Sequence, residues 1–287
     1  FEREVLINKN PISYDACKMV SMVNGSIKMV PTSELIFKNK FVDSCGMASH
    51  TLTPELVWKA YKEYFERQSF IANFLFELPA DKIKIRQDPD LCKMHKYLTN
   101  YLDEVYYYNV SLCESVFVVL AIGWSDKTKA AGLGTSRDIK IAIEKSQKEI
   151  LQYFAVSVNK EKMQGEKYFE DENRDLYHQK FESLSIKSFK THYDYLSNNK
   201  EVDVHKLINM NKYGLVDIIK ENYIKYNMES YICLFNGREN TGIKIVKIRD
   251  FNWFPHMRPG IYESRLVVDL EIKFHRKIKK CVDYFTK

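Results

Sequence analysis

The feature that most restricts the fold is the apolar run VFVVLAIGW at residues 116–124. This run is much shorter than the roughly 20 apolar residues that a membrane-spanning helix needs, so it predicts a buried β-strand in a globular protein. Helical and strand patterns alternate on either side of it, and the sequence holds no glycine motif of the Rossmann or P-loop type. The sequence therefore predicts an α+β fold in which long helices pack on a mixed β-sheet.

Residue periodicity predicts the other helices and strands. A strand hairpin is predicted over residues 16–37, with Asn24 and Gly25 in the turn. The later segments are predicted as helices over 85–108 and 204–226 and as strands over 229–236, 241–249 and 265–274. Residues 160–205 are rich in charge and poor in apolar side chains, which predicts a surface helix or a mobile insertion.

Charge and cysteine usage limit the class of protein. The chain has 44 Lys and Arg against 38 Asp and Glu, and this net charge of +6 favours phosphate-bearing or acidic partners without implying nucleic acid. The six cysteines form no C-x-x-C pair, so we expect reduced thiols. We expect a cytoplasmic protein, since no signal-peptide pattern opens the chain, and we expect that further N-terminal sequence precedes Phe1.

The stretch TPELVWKAYKEYFERQSF at residues 53–70 predicts a helix with an ionic patch. Pro54 suits the first turn of a helix, and Glu63, Glu66 and Arg67 follow at a spacing that places them on one face. One interpretation is a surface ion pair between Glu63 and Arg67, which contributes little to stability. The other is a cation site, because two carboxylates one turn apart suit Mg²⁺ and a guanidinium can clamp a phosphate.

A second segment, AGLGTSRDIKIAIEKSQKEILQ at residues 131–152, has a similar plan. Its small residues predict a loop, which is either a plain turn or a backbone that comes close to a polar ligand. These small residues are Gly132, Gly134, Thr135 and Ser136. The helix predicted after the loop carries Glu149 and Gln152 one turn apart.

These two segments, with the opening FER of Glu2 and Arg3 ahead of them, resemble the YcaO family in order and spacing. The stretch YICLFNGRENTGIKIVKIRDFNWFPHM at residues 231–257 is similar to a late strand pair of that family, particularly in microcin-type azole synthetases. The resemblance implies a single YcaO-like domain over residues 1–287, incomplete at its N-terminus. It also implies an ATP pocket lined by acidic residues from three helices.

The resemblance implies a role for each residue that matches the family. Glu63 and Glu66 are the implied catalytic Mg²⁺ ligands that bridge to ATP, and Glu2 is a third metal ligand at the tail of an E-x-x-E-R motif. The other implied ATP-binding residues are Glu55, Arg67, Arg3 and Arg258. The implied substrate or pocket residues are Glu149, Gln152 and Ser136.

The chemistry implied by the resemblance is ATP-dependent activation of a peptide backbone amide. A Cys, Ser or Thr side chain of a ribosomal precursor peptide attacks the preceding carbonyl, and ATP drives ring closure to a thiazoline or oxazoline. The implied partners are that precursor peptide, an E1-like protein that binds its leader and a flavin-dependent dehydrogenase, with no nucleic acid or membrane. The alternatives are a YcaO enzyme that makes thioamides or amidines with an external nucleophile, and a non-catalytic scaffold or basic nucleic-acid-binding protein.

Overall fold

A computed structural model describes residues 7–8, 16–35, 44–51, 53–86, 88–163, 181–197, 200–208, 213–236, 242–255 and 262–278. These residues fall into two compact units. The first runs up to Ile71 and includes Tyr213–Ile278, and the second lies between Ala72 and Lys212. Each unit combines strands with helices, so the predicted α+β class is confirmed. The single domain over 1–287 stays a prediction.

The described elements are short strands and several long helices. The strands are β1 Ile7–Asn8, β2 Ala16–Ser21, β3 Ile27–Pro31, β4 Met47–His50, β5 Asp81–Lys84, β6 Glu104–Asn109, β7 Phe117–Trp124, β8 Lys129–Ser136, β9 Glu201–Asp203, β10 Tyr231–Asn236 and β11 Lys244–Arg249. The helices are α1 Thr53–Phe76, α2 Pro89–Leu98, α3 Ile139–Met163, α4 Ile186–Tyr193, α5 Val204–Ile208, α6 Leu215–Tyr226 and α7 Ser264–Phe274. None of the helices in the described ranges combines the length and the apolar character that a bilayer-spanning segment needs.

The first unit is built on a sheet with the strand order β3-β2-β10-β11-β4. Neighbours in this order are antiparallel, and β1 joins β10 in parallel. The predicted hairpin is confirmed, because β2 and β3 pair through a turn in which Gly25 has a φ of +75°. A buried cluster that includes Met19, Cys233 and Phe235 packs at this sheet, since side chains alternate between its two faces.

The second unit is built on a sheet with the strand order β8-β7-β6-β5-β9. Its strands are antiparallel except for the parallel pair of β5 and β9. Strand β7 is buried from Phe117 to Gly123, which confirms the buried strand predicted from the apolar run. The core of this unit joins Val119 and Ala121 of β7 to Ala142 and Ile143 of α3.

Helix α3 packs closely against β8, the edge strand of the second sheet, and supplies partners for its backbone. The Leu133 N–H donates to the Glu149 carboxylate at 2.7 Å, and Lys145 Nζ donates to the Thr135 carbonyl at 3.0 Å. The close approach requires glycine, because a Cβ on Gly134 would lie 2.0 Å from the Ala142 carbonyl oxygen. The predicted glycine-bearing loop is therefore wrong, since this segment is a strand whose glycines admit a helix.

Two other sequence predictions are wrong about the type of element. Residues 264–274 form helix α7, whereas a strand was predicted over 265–274. The pattern is instead helical, because Val268 and Ile272 are exposed while Leu270 is fully buried. The single helix predicted over 85–108 ends at Leu98, and the tyrosine-rich part that follows is strand β6.

The charged segment over 160–205 is described only in part. Helix α3 continues to Met163, and the chain is described again from Phe181, where α4 follows. Phe189 of α4 and Leu196 after it are fully buried. The assignment of 160–205 as a surface helix or insertion stays a prediction. The helix predicted over 204–226 is confirmed in part, as the separate helices α5 and α6.

We expect Gly134→Ala to lower the free energy of unfolding by about 3 kcal/mol, because the added methyl group overpacks the contact between β8 and α3. The matched control is Gly25→Ala, where no heavy atom lies within 4 Å of the added Cβ. That variant bears only the cost of a left-handed conformation, roughly 1 kcal/mol. Urea unfolding of both variants measures the difference, and a loss no larger at Gly134 than at Gly25 would contradict this packing.

Candidate functional site

Helix α1 carries the predicted metal-binding carboxylates, and aromatic packing sets its orientation. Tyr61 stacks on Phe65 with a centroid distance of 6.3 Å and an interplanar angle of 5°. Asn222 Nδ2 of α6 donates to the Tyr61 hydroxyl at 3.2 Å. Leu56 and Ala60 complete the buried side of the helix, at the four-residue spacing that keeps side chains on one face. This side fixes the direction in which the remaining residues of α1 point.

The three ionic residues of the sequence motif lie together on α1. Glu63 is half-buried, and Glu66 is only 8% exposed. Arg67 Nη2 lies 3.9 Å from Glu66 Oε1, so the Arg67 guanidinium forms a long ion pair with Glu66. A surface pair between Glu63 and Arg67 and a cation site were the two sequence interpretations, and both stay predictions.

The donor chemistry of this patch fits Mg²⁺. This ion is commonly bound through one or two carboxylates together with phosphate oxygens and water, and the Glu63–Glu66 pair offers hard oxygens one helical turn apart. Within the described ranges no group of three or more His, Cys, Asp or Glu residues is arranged to hold a metal ion. The role of Glu63 and Glu66 as metal ligands stays a prediction.

A buried polar pair lies on the inner side of α1. Tyr64 follows Glu63 in the sequence and is almost fully buried, and burial first, then the charge of Asp250, raises its pKa well above the usual range. Asp250 is 1% exposed and accepts a hydrogen bond from the Asn252 N–H at 2.7 Å. Burial raises the pKa of the Asp250 carboxyl to about 7, although the Asn252 bond and the Lys273 charge oppose the shift.

Two further polar residues near α1 were missed by the sequence analysis. Gln68 exchanges two hydrogen bonds with the backbone of Phe254, and Lys247 Nζ donates to the Cys45 carbonyl at 2.7 Å. Lys247 is 3% exposed on strand β11, and its partner directly precedes Gly46, which has a φ of +71°. In each case the sequence shows a polar residue within an apolar pattern, which indicates a buried hydrogen bond. Periodicity does not indicate the partner of that bond.

The remaining predicted residues of the first unit are placed as follows. Glu55 is exposed in the first turn of α1, on the helix that carries Glu63 and Glu66. Glu2, Arg3 and Arg258 lie outside the described residues, so their assigned roles stay predictions.

The predicted pocket residues of the second unit lie on β8 and α3. Ser136 is the half-buried last residue of β8. Glu149 is half-buried on α3, and one of its carboxylate oxygens accepts the Leu133 N–H. Gln152 is exposed one turn later. Glu149 therefore has a structural contact of its own, and the substrate or pocket role of the three residues stays a prediction.

Comparison with protein families identifies the chain. The profile of the YcaO cyclodehydratases, described as ATP- and Mg²⁺-binding, matches residues 8–217. This match covers more than half of the chain and confirms both the predicted family and its cofactors, ATP and Mg²⁺. Comparison with curated protein sequences gives no match.

Solved structures share the fold at low sequence identity. The E. coli microcin synthetase McbBCD complex matches with a TM-score of 0.71 and 14% identity over 93% of this chain and 73% of that chain. The YcaO protein of Methanopyrus kandleri, bound with AMPPCP and Mg²⁺, matches with a TM-score of 0.66 and 15% identity over 84% and 65%. The heterocyclase TruD matches with a TM-score of 0.64 and 14% identity over 90% and 37%. The predicted YcaO-type fold is confirmed.

We expect Asp250 to make stability depend on pH. Its folded pKa of about 7 exceeds the value near 4 of an unfolded chain, so the folded state holds the extra proton between these values. The contribution of this carboxyl to the free energy of unfolding therefore falls as pH rises from about 4 to about 7. Asp250→Asn removes the titration but keeps an acceptor for the Asn252 N–H.

Urea unfolding at pH 5 and pH 8 tests this expectation. The difference in stability between the two pH values is expected to be smaller in Asp250→Asn than in the wild type. The control is Asp126→Asn, which changes an exposed carboxylate between β7 and β8 and should keep the wild-type difference. An unchanged pH dependence in Asp250→Asn would show that this carboxyl is ionised throughout.

Proposed function

Because the chain belongs to the YcaO family, we propose that it uses ATP to activate backbone amides of a peptide substrate. The product is a thiazoline or oxazoline formed from a Cys, Ser or Thr residue of a ribosomal precursor peptide. The observation that carries this proposal is the ionic patch of α1, in which Glu66 is buried beside Arg67 and one turn from Glu63. The likeness of the fold to a microcin synthetase and a heterocyclase supports the class of reaction.

In this proposal α1 binds the metal–nucleotide complex. Glu63 and Glu66 would hold Mg²⁺, and Arg67 would contact a phosphate oxygen, since a guanidinium matches phosphate geometry. When bound, Mg²⁺ supplies positive charge to the phosphoryl group that is transferred. The burial of Glu66 strengthens its attraction for a cation, because fewer water molecules screen it. Glu55 lies in the first turn of the same helix and is the further nucleotide contact that we assign there.

The proposed reaction needs no nucleophile from the protein. The Cys thiol or Ser/Thr hydroxyl of the peptide adds to the preceding amide carbon and loses its proton. The former carbonyl oxygen takes the γ-phosphoryl group of ATP, which leaves ADP. The C–O bond then breaks, a C=N bond forms as the amide proton departs, and phosphate is released. The peptide loses one water per ring, and catalysis consists chiefly of positioning and charge stabilisation.

The proposal includes a multi-subunit complex. The solved neighbour with pro-MccB17 bound is a complex of several proteins with a precursor peptide, and it shares this fold with a TM-score of 0.65. That likeness supports a precursor peptide as a partner of this chain, and the family resemblance adds an E1-like protein that binds the leader and a dehydrogenase that oxidises azolines. The partners supply peptide recognition and later oxidation, while this chain supplies the ATP-dependent step.

We expect Glu63→Gln and Glu66→Gln each to lower the rate of cyclisation by about 100-fold or more, because each removes a charged metal ligand. The measurement is intact-mass spectrometry of a candidate precursor peptide incubated with this chain, its partner proteins, ATP and Mg²⁺. Loss of one water per modified residue, dependent on ATP, is the expected signal. Glu144→Gln is the control, since Glu144 Oε2 lies 3.6 Å from Lys148 Nζ in a surface pair of little energetic value.

The same spectra separate the alternatives. A mass change that corresponds to exchange of oxygen for sulfur would contradict cyclisation. It would show that the enzyme forms a thioamide with sulfide as the external nucleophile. Full activity in both glutamine variants would show that α1 does not carry the metal site. Absence of ATP turnover in every mixture would contradict an enzyme of this class and leave a scaffold.

A further inference from the structure

Helix α1 is held by a polar contact on its buried side, at the level of its ionic patch but facing away from it. Gln68 directly follows Arg67 and lies two residues after Glu66, which is a rise of about 3 Å along the helix axis. Gln68 is 1% exposed although it is polar. A buried amide is costly unless both its donor and its acceptor are satisfied, so its partners show what holds it there.

Both polar atoms of the Gln68 side chain bond to the backbone of a single residue. Gln68 Nε2 donates to the Phe254 carbonyl at 2.9 Å, and the Phe254 N–H donates to Gln68 Oε1 at 3.1 Å. Phe254 is 2% exposed and lies outside the described strands and helices. The amide side chain therefore takes the place that a neighbouring strand would fill, and it does so for a residue 186 positions away.

The segment around Phe254, to which Gln68 bonds, has contacts of its own. The Asp250 carboxylate accepts the Asn252 N–H at 2.7 Å, which closes a turn just before Phe254. Trp253 is 1% exposed and packs against Tyr226 of α6 and Phe274 of α7, with ring centroids 6.0 and 5.6 Å apart. Residues 250–255, which we name the anchor segment, are thus held by a hydrogen bond and by buried ring contacts of their own.

A second buried amide on α1 shows by contrast what is particular to Gln68. Asn73 is also 1% exposed, and its Nδ2 donates to the Leu78 carbonyl at 2.9 Å. Its Oδ1 also accepts from the Tyr195 hydroxyl at 2.7 Å, so Asn73 holds the C-terminal end of α1 through one local and one distant partner. Gln68 instead bonds through both of its polar atoms to the backbone of a single residue, and it lies in the middle of α1, only two residues after Glu66.

We propose that Gln68 is a positioning residue for the nucleotide site, because its paired hydrogen bonds lock α1 to the anchor segment and thereby set where Glu63, Glu66 and Arg67 lie. This inference rests on the proposed function, in which those residues hold Mg²⁺ and ATP. Gln68 lies about 3 Å from Glu66 along the helix axis, so a shift at Gln68 also moves Glu66, whereas Asn73 lies about 10 Å from Glu66 at the end of the helix. Misplacement of a site by about 1 Å can cost up to 100-fold, which gives the contact a functional consequence beyond stability.

Binding of the non-hydrolysable analogue AMPPCP with Mg²⁺, measured by titration calorimetry on the full chain, tests the proposal without a peptide or partner. Gln68→Met keeps the volume but removes both hydrogen bonds, and we expect its Kd to rise roughly tenfold and its half-saturating Mg²⁺ concentration to rise as well. Asn73→Leu is the matched control. It loses a buried amide of the same helix, and we expect a lower unfolding midpoint with wild-type affinity.

The outcomes separate this inference from the proposed function. Wild-type affinity in folded Gln68→Met, or equal weakening in Asn73→Leu, would overturn the positioning role while leaving the site itself in place. Failure of the wild type to bind, or wild-type affinity in Glu66→Gln, would instead remove the proposed site on α1. If Gln68→Met does not fold, Gln68→Asn replaces it, since the amide is kept but withdrawn by one methylene from Phe254, and the same weakening is expected.

Discussion

The turn of about 100° between successive helix residues is the constraint on which the candidate site depends. Because Tyr61, Tyr64 and Phe65 must be buried, the residues between and after them have no freedom to choose their direction. Glu63 and Glu66 therefore share a side that the aromatic packing selects. The ionic patch needs no special loop, and its geometry follows from the burial of its neighbours on α1.

Polar side chains in this unit serve the backbone where regular pairing ends. Lys247 satisfies the Cys45 carbonyl, and Gln68 satisfies both polar groups of Phe254. Apolar contacts could bury the same surface, but they would tolerate sliding, whereas hydrogen bonds fix distance and angle. Burying these polar groups costs desolvation free energy, but their hydrogen bonds fix one arrangement of the loops beside α1.

The sequence predicted correctly those elements whose boundaries depend on residues close together in the chain. The hairpin at Asn24 and Gly25 and the start of α1 near Pro54 follow from residues close in sequence, and both are present. The strand predicted over 265–274 was wrong, because Val268 and Ile272 favour a strand by type but lie on the exposed side of a helix. For the site, spacing alone predicted that Glu63, Glu66 and Arg67 share a face. Spacing could not predict the contact of Gln68, because its partner lies 186 residues away in the sequence.

The closing of β8 by α3 bears on how this protein assembles with others. A free edge strand is a template on which another chain can add a strand, whether in a designed complex or in an aggregate. Here the Leu133 N–H is bonded to Glu149, and the Thr135 carbonyl is bonded to Lys145. The glycines of β8 also let α3 come so close that no space is left for another strand. Strand addition is therefore blocked along this part of β8, and a partner that meets it must recognise side chains.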